Sequence, residues 1–298
     1  MRVAVTGATG TIGRALAGAL TARGDEVTQL SRSTNWPEPK TTPPPLDTLR
    51  DHDGVVHLLG EQIAQRWTDD AKREIRDSRI LSTRNVVSAL GVLPEAERPK
   101  VLVSQSGAGW YGHRGDEPLD ESHPAGEDFL AQLSADWEAE ARRAEELGVR
   151  VVINRTGMVL SPSGGALEKM LPFFKLGIGG PVAGGRQYVP WVHLDDVVGA
   201  ILFELDTEAA SGPVNLTAPE PATNRDLSKA LGRVLRRPAI APVPALAVKV
   251  LYGEMSDIVT TGQRAVPARL TELGYSFRRP QLEDALRDAT ASPESTQR

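Results

Sequence analysis

Short apolar runs alternate with longer stretches of helical periodicity along most of this 298-residue chain. Val3-Ala4-Val5 is the first run. Behind it Ile12, Leu16 and Leu20 fall four apart, which is one face of a helix. Gly24, directly after Arg23, is placed to end that helix. Val27-Thr28-Gln29-Leu30 predicts a second strand, and Asp53-Gly54 a turn into a buried strand that ends in Gly60. Residues 72–90 carry Ile75, Ile80, Val86, Val87 and Leu90 at helical spacing. Val101-Leu102-Val103-Ser104 reads as a strand, 127–147 as a long helix, and Val149 to Ile153 as a further strand. Strands alternating with helices predict an α/β fold with a doubly wound parallel sheet covered on both faces.

The turn after the first strand reads Thr6-Gly7-Ala8-Thr9-Gly10-Thr11-Ile12-Gly13. Strand, glycine turn, helix and strand follow one another in about thirty residues, the βαβ spacing of a dinucleotide-binding unit. Glycine lets the backbone turn sharply and keeps no Cβ between it and a pyrophosphate. The first N–H groups of the helix have no partner inside it, and the helix dipole is positive there. Gly7, Thr9, Gly10, Thr11 and Ile12 are therefore candidate cofactor contacts, and the sheet is expected to be of Rossmann type. The bland alternative is a glycine-rich turn that binds nothing. Ligands of such sheets sit beyond the carboxyl ends of the strands. Leu58, Leu59, Gly60 and Glu61, Ser104 and the residues up to Gly112, and Asn154 to Gly157 with Arg155 all fall there.

At the end of the second strand an acidic residue would hold the ribose 2′-hydroxyl of NAD. This chain has Leu30-Ser31-Arg32-Ser33 instead. The fork of donors on Arg32 suits a 2′-phosphate, so NADP is favoured over NAD. A solvated loop arginine, or an acidic residue reaching in from 36–53, are the alternatives.

Composition narrows the partners. A net charge of −5 argues against nucleic acid. With no cysteine, disulfides, thiolate metal sites and cysteine nucleophiles are excluded. No apolar run is long enough to span a bilayer and no signal peptide is visible, so a soluble cytoplasmic protein without a membrane is expected. Residues 33–45, rich in proline, predict a surface loop. The second half changes character. Residues 175–185 are dense in glycine, and Pro238, Pro242 and Pro244 interrupt the chain before a last helical region. The expected division is a cofactor domain from 1–160 with 188–220, a substrate-side C-terminal module from 161–187 with 221–289, and a flexible tail at 290–298. No internal repeat is present.

With these residues in hand, the chain resembles the extended short-chain dehydrogenases/reductases, the superfamily of sugar-nucleotide epimerases. It is most similar to the epimerase subgroup related to human short-chain dehydrogenase family 39U. The likeness runs from about residue 1 to 289. Besides the glycine turn it rests on His57-Leu58-Leu59-Gly60-Glu61, Arg66-Trp67, Ser78-Arg79, Trp110-Tyr111-Gly112 and Trp137-Glu138. Arg155-Thr156-Gly157-Met158-Val159-Leu160, Gly164-Gly165-Ala166-Leu167, Trp191-Val192-His193-Leu194-Asp195-Asp196 and Arg236-Arg237-Pro238 complete it. The superfamily's chemistry uses a Tyr-x-x-x-Lys pair on one helix face. The four tyrosines, Tyr111, Tyr188, Tyr252 and Tyr275, are followed four residues later by Gly115, Val192, Ser256 and Arg279. Anchored on Trp137-Glu138, the pair falls on Leu130 and Ser134, which read as helix core with Trp137 and Ala141.

The resemblance leaves Ser106, Tyr111 and Arg79 as catalytic candidates. Ser106 lies near the superfamily serine; otherwise it is a turn serine bonded to its own backbone. Tyr111 is placed toward the nicotinamide, or is an ordinary half-buried aromatic. Arg79 stands where many relatives carry asparagine and would favour an anion, unless it is a surface arginine. Glu61 is a base or a helix-start carboxylate. Arg186, in a loop resembling the one that holds nucleotide diphosphates in sugar-nucleotide relatives, and Trp191 are substrate candidates. His193 with Asp195-Asp196 shows too few ligands for a metal, so none is expected. The implied function is an NADP-dependent oxidoreductase or epimerase for a small polar or nucleotide-linked substrate, with a homodimer one assembly in keeping with it. The alternative is a catalytically silent dinucleotide-binding regulator or scaffold. The missing Tyr-x-x-x-Lys pair supports the alternative.

Overall fold

The computed structural model of the chain describes residues 1–291. Six parallel strands form the central sheet. They are β1 (Arg2–Thr6), β2 (Glu26–Leu30), β3 (Gly54–His57), β4 (Val101–Gly107), β5 (Arg150–Thr156) and β6 (Gly212–Leu216). Their order across the sheet is β6-β5-β4-β3-β1-β2. The chain steps from β1 outward to β2 and then returns to the other side of β1 for β3, so the crevice of the sheet opens between β1 and β3.

Register sets the geometry at that edge. Leu30, Thr6, His57, Ser104 and Ile153 lie side by side across β2, β1, β3, β4 and β5. β4 and β5 continue beyond this row to Gly107 and Thr156 and make a wall along one side of the crevice. Side chains alternate between the faces. Val3, Val5 and Val103 pack under α1 (Thr11–Arg23) and α5 (Leu194–Asp206) through Leu16, Leu20, Val197 and Ile201. Ala4, Leu102 and Val151 pack under α2 (Asp69–Val92) and α3 (Phe129–Arg142) through Leu90 and Ala141.

The helix ends follow their sequence signals. Gly24 is left-handed at φ 92° and closes α1 through its own N–H and that of Asp25. Thr68 caps α2 and Asp128 caps α3 by accepting backbone N–H groups. The predicted 127–147 helix is shorter at both ends: Asp128 caps α3 at its start, α3 ends at Arg142, and 145–147 is a separate tight turn before the left-handed Gly148. The strand predicted at Val101–Ser104 extends to Gly107, so Ser106 is a strand residue and not a turn residue. The proline-rich loop after β2 is more than surface, because it wraps Trp36, which is 1% exposed and donates its indole N–H to the Thr42 carbonyl.

A third apolar cluster stands apart from the sheet. It joins α4 (Gly165–Lys175), α6 (Asn224–Leu235) and α8 (Leu282–Thr290) through Leu167, Phe174, Leu227, Leu231 and Leu286. A short helix, α7 (Ala245–Tyr252), precedes two further helical turns. The last helix includes Thr290, one residue into the predicted tail; 292–298 lie outside the described residues.

Candidate coenzyme site and the polar cluster beside it

The glycine turn leaves β1 at the crevice. Gly7 has φ 66°, and a Cβ there would stand 3.0 Å from the Leu58 carbonyl carbon and oxygen. Gly13 is tighter, since a Cβ would stand 2.3 Å from the Gly7 oxygen, so only glycine lets α1 approach the turn this closely. Gly10 is the α1 N-cap and offers no side-chain partner, and the first turn carries no acidic residue. The opening N–H groups of α1 therefore face outward without an internal acceptor. Thr9 and Gly10 are exposed; Thr11 and Ile12 are half-buried. The start of α4 abuts the same turn, with Thr11 Oγ1 3.5 Å from the Ser163 carbonyl oxygen and Gly164 too close to Thr11 for a Cβ.

At the end of β2, Arg32 is exposed. Its neighbours form a knot of hydroxyls in which Ser31 Oγ lies 3.1 Å from Ser33 Oγ and 2.9 Å from Thr34 Oγ1. Among the described residues, neither Arg32 nor these hydroxyls bonds or pairs with a carboxylate.

Across the crevice, Leu58, Leu59 and Glu61 are half-buried and Gly60 exposed. β3 stops at His57, so Glu61 lies in an irregular loop and does not end a strand. Two consecutive residues of α2 hold that loop. Ser78 Oγ accepts the Glu61 N–H at 3.0 Å, and Arg79 Nη2 donates to the Glu61 carbonyl at 2.8 Å. Arg79 Nη1 donates to the Ile75 carbonyl, and its plane lies 5.3 Å from the Trp137 ring. Burial lowers its pKa to about 10 against the opposing field of Glu61. Arg79 is thus neither a surface arginine nor open to substrate as it stands.

The other two catalytic candidates belong to a buried network at the wall. Ser106 Oγ donates to Glu138 Oε1 at 2.8 Å. Glu138 also takes Arg155 Nε at 2.9 Å and Nη2 at 3.0 Å, a two-pronged ion pair with both side chains 2% exposed. Arg155 Nη1 donates to Tyr111 Oη at 3.2 Å, and Tyr111 donates to Asn215 Oδ1 at 2.6 Å. The Arg155 guanidinium lies 3.8 Å from the Trp110 ring centre. Burial works against the charge of Arg155, but Glu138 outweighs it and holds the pKa above the ordinary value. Burial pushes the Tyr111 phenol up to about 12. Tyr111, expected toward the nicotinamide, is 0% exposed, and its hydroxyl is bonded to Asn215 and Arg155. Arg155, expected at the coenzyme edge, is buried in the same wall.

Ser104 sits in the strand-end row but is buried. Trp191, a substrate candidate, is also buried, with its indole N–H on the Glu220 carbonyl and its ring in the third apolar cluster. Arg186 is exposed in a loop where Ala183, Gly184 and Gly185 all take positive φ. The face Leu130-Ser134-Trp137-Ala141 is the helix core that was expected, with Ser134, Trp137 and Ala141 buried.

Sequence reading placed two polar groups at the strand ends without singling them out. Gln105 Nε2 donates to Thr156 Oγ1, while the Gln105 Oε1 atom is enclosed with no partner. Their spacing gave no signal, because only strand register brings 105 and 156 together. Asp288 was missed. It brings a third carboxylate or imidazole atom to His193 and Asp195, close enough for a cation. A guanidinium already fills that place: Arg279 Nη2 meets Asp288 at 2.9 Å, and its Nε lies 3.6 Å from Asp195. His193 Nδ1 accepts the Asp195 N–H as the α5 N-cap, which puts the ring proton on Nε2, 3.2 Å from Asp288.

Comparison with known proteins agrees with this architecture. The family described as "NAD dependent epimerase/dehydratase family" matches residues 3–216, and a domain of unknown function, DUF1731, matches 243–289. This chain belongs to the NAD dependent epimerase/dehydratase family. Among its relatives are the Mycobacterium tuberculosis epimerase family protein MT2273, 40% identical over 98% of both chains, and a chloroplastic SDR39U1 homologue of Arabidopsis thaliana, 39% identical over 96% of this chain and 86% of the plant protein. The crystal structure of human epimerase family protein SDR39U1 (isoform2) with NADPH superposes with a TM-score of 0.89 at 34% identity, covering 97% of this chain and 99% of the human one. UDP-glucuronic acid 4-epimerase of Bacillus cereus shares the fold at 18% identity and a TM-score of 0.79. The family thus spans the whole sheet, and no helix among the described residues is long and apolar enough to cross a membrane.

Proposed function

We propose that this chain is an NADP(H)-dependent oxidoreductase or epimerase that acts in the cytoplasm on a small polar or nucleotide-linked substrate. The carrying observation is the bare main-chain cradle from Gly7 to Gly13, where Gly7 is left-handed, a Cβ on Gly13 would strike the Gly7 oxygen, and the first N–H groups of α1 have no acceptor within the helix. The NADPH of the human relative supports the same reading, as does the exposed Arg32, next in sequence to the hydroxyls of Ser31 and Ser33. The coenzyme, when bound, supplies hydride exchange at its nicotinamide ring. Thr9, Gly10, Thr11 and Ile12 would hold the pyrophosphate. Leu58, Leu59, Gly60 and Glu61 would flank the crevice, and Arg32 would take the 2′-phosphate.

Toward substrate, the polar groups at the top of the wall are Gln105 and Thr156, with Arg186 on the loop beyond. Arg79, Ser106, Tyr111 and Arg155 serve this site from behind. They fix the Glu61 loop and the β4–β5 wall through hydrogen bonds within the protein. Residues 161–187 with 221–289 form the substrate-side module in this reading, and a homodimer is its proposed assembly.

Calorimetry with NADPH and NADH tests the coenzyme half. NADPH should bind, and more tightly than NADH; no heat from either defeats the proposal. Turnover is tested by following reduced nicotinamide absorbance with small carbonyls and sugar nucleotides. A second reading, a coenzyme-binding regulator without turnover, is favoured by the buried Tyr111 and by Leu130 and Ser134 standing where a tyrosine and lysine would be needed. Tight NADPH binding with no turnover across that panel decides for it.

A further inference from the structure

From 227 to 253 the chain carries five basic residues, Lys229, Arg233, Arg236, Arg237 and Lys249, and no carboxylate, in a protein of net charge −5. Residues 169–187 repeat the bias with Lys169, Lys175 and Arg186 and no acidic residue. The fold brings the two stretches together. Arg237 Nε donates to the Lys175 carbonyl at 3.1 Å, a Cβ on Gly177 would meet Pro238, and Val182 bridges Val243. Lys229, Arg233, Arg236, Arg237 and Ile240 line a shallow cavity of about 320 Å³. Arg233 pairs with Glu283, whereas Lys175, Lys229, Arg236, Arg237 and Lys249 meet no carboxylate among the described residues.

The same face is apolar. Ile240 is 83% exposed, Leu176 74% and Leu246 72%, and Phe173, Ile178, Val250 and Leu251 are each more than half exposed. α7 buries only Val248. Leu246 with Val250, and Ala247 with Leu251, repeat at four-residue spacing and are exposed. Single exposed apolar side chains are ordinary, but a run of this kind marks an interaction surface.

We infer that this face rests on an anionic lipid surface, with the exposed side chains of α7, Ile240 and the end of α4 entering the headgroup region and the unpaired cations meeting lipid phosphates. Apolar anchors ringed by lysine and arginine are the composition of proteins that lie on a membrane without spanning it. Nucleic acid would neutralise the cations but leave the apolar groups in water. A second copy meeting this face with its own would bring like charges together. Net repulsion from the acidic remainder of the chain also orients this face toward the bilayer.

Vesicle flotation tests the inference. The full chain should float with vesicles of phosphatidylcholine mixed with phosphatidylserine, stay down with phosphatidylcholine alone, and come off as salt rises. Leu246→Asp with Leu251→Asp, and separately Lys175→Glu with Lys229→Glu, should each cut the bound fraction by about tenfold or more, with the thermal unfolding midpoint unchanged. Absence of flotation by the parent chain overturns the inference. So does equal binding to both vesicle types. A concentration-dependent doubling of mass that Leu246→Asp abolishes, without vesicle binding, assigns the face to a second copy instead.

Discussion

Arg79 and Glu61 meet through the backbone: the guanidinium donates at 2.8 Å to the carbonyl of Glu61, whose N–H is taken by Ser78 one residue earlier on α2. Both main-chain groups of one crevice residue are thus held by adjacent side chains of a single helix. A Cβ on Gly60 would stand 3.0 Å from the Arg79 guanidinium carbon, and Leu58 packs on Gly7, so the contact reaches the glycine turn. Arg79→Met should therefore loosen the Leu58–Glu61 loop and weaken NADPH binding by about tenfold, the scale of a lost charge-assisted hydrogen bond. Arg79→Lys should recover only part of it, because one ammonium cannot serve two carbonyls in fixed fork geometry. Calorimetry reads both. Unchanged affinity in Arg79→Met means that the loop holds itself.

In the proposed function, coenzyme choice rests on Arg32. Arg32→Glu should weaken NADPH far more than NADH, since it removes a phosphate partner and adds a like charge beside the 2′-phosphate. Equal losses for the two coenzymes, measured side by side, remove Arg32 from the 2′ site.

The buried ion pair makes a stability prediction. Glu138→Ala strands Arg155 without its partner and should cost about 3–5 kcal/mol, enough to threaten folding. Tyr111→Phe removes one hydroxyl and leaves Asn215 Oδ1 short of a donor, a cost of about 1–3 kcal/mol. If Tyr111 acted on substrate, the phenylalanine variant would lose turnover while its denaturation midpoint stayed put. The prediction here is the reverse, with the midpoint falling and NADPH binding intact.

Two buried groups set opposite pH dependences. Burial lowers His57 to about 3, between Thr6 and Ser82, so the folded chain keeps it neutral while the unfolded chain takes up a proton near 6.5. Its contribution is present above 6.5 and drains away as pH falls toward 3. Glu204 is raised to about 8 by burial, opposed by its bond from Asn154. Its folded form keeps a proton that the unfolded form loses near 4.5, so this contribution is present below 4.5 and is lost as pH rises through 8. Glu204→Gln should gain stability relative to the parent on going from pH 4.5 to pH 8. Urea unfolding at both pH values checks this, and a constant difference refutes the buried neutral acid.

The glycine turn admits the sharpest structural test. Gly13→Ala puts a methyl 2.3 Å from the Gly7 oxygen, against main chain that cannot turn aside. NADPH binding should fall below detection even where the variant still folds. Binding at parental strength would mean that the turn rearranges freely.

Local rules were enough for the sheet and the coenzyme turn. β1, the Gly7–Gly13 turn, α1 and its Gly24 cap are adjacent in sequence, and residue type and spacing within that short stretch mark each of them, so the chain announces them. The absence of an acidic residue after Leu30 was equally legible. Tertiary structure alone decided the fate of the remaining candidates. Ser106, Glu138, Arg155, Tyr111 and Asn215 come from five separate elements, and only their packing shows that their polar atoms satisfy one another. Arg279 likewise settles beside Asp195 and Asp288 across a long stretch of chain. A side chain's partners over such distances depend on register and packing, which residue type and spacing do not encode; a backbone turn depends on its own few dihedral angles, which they do.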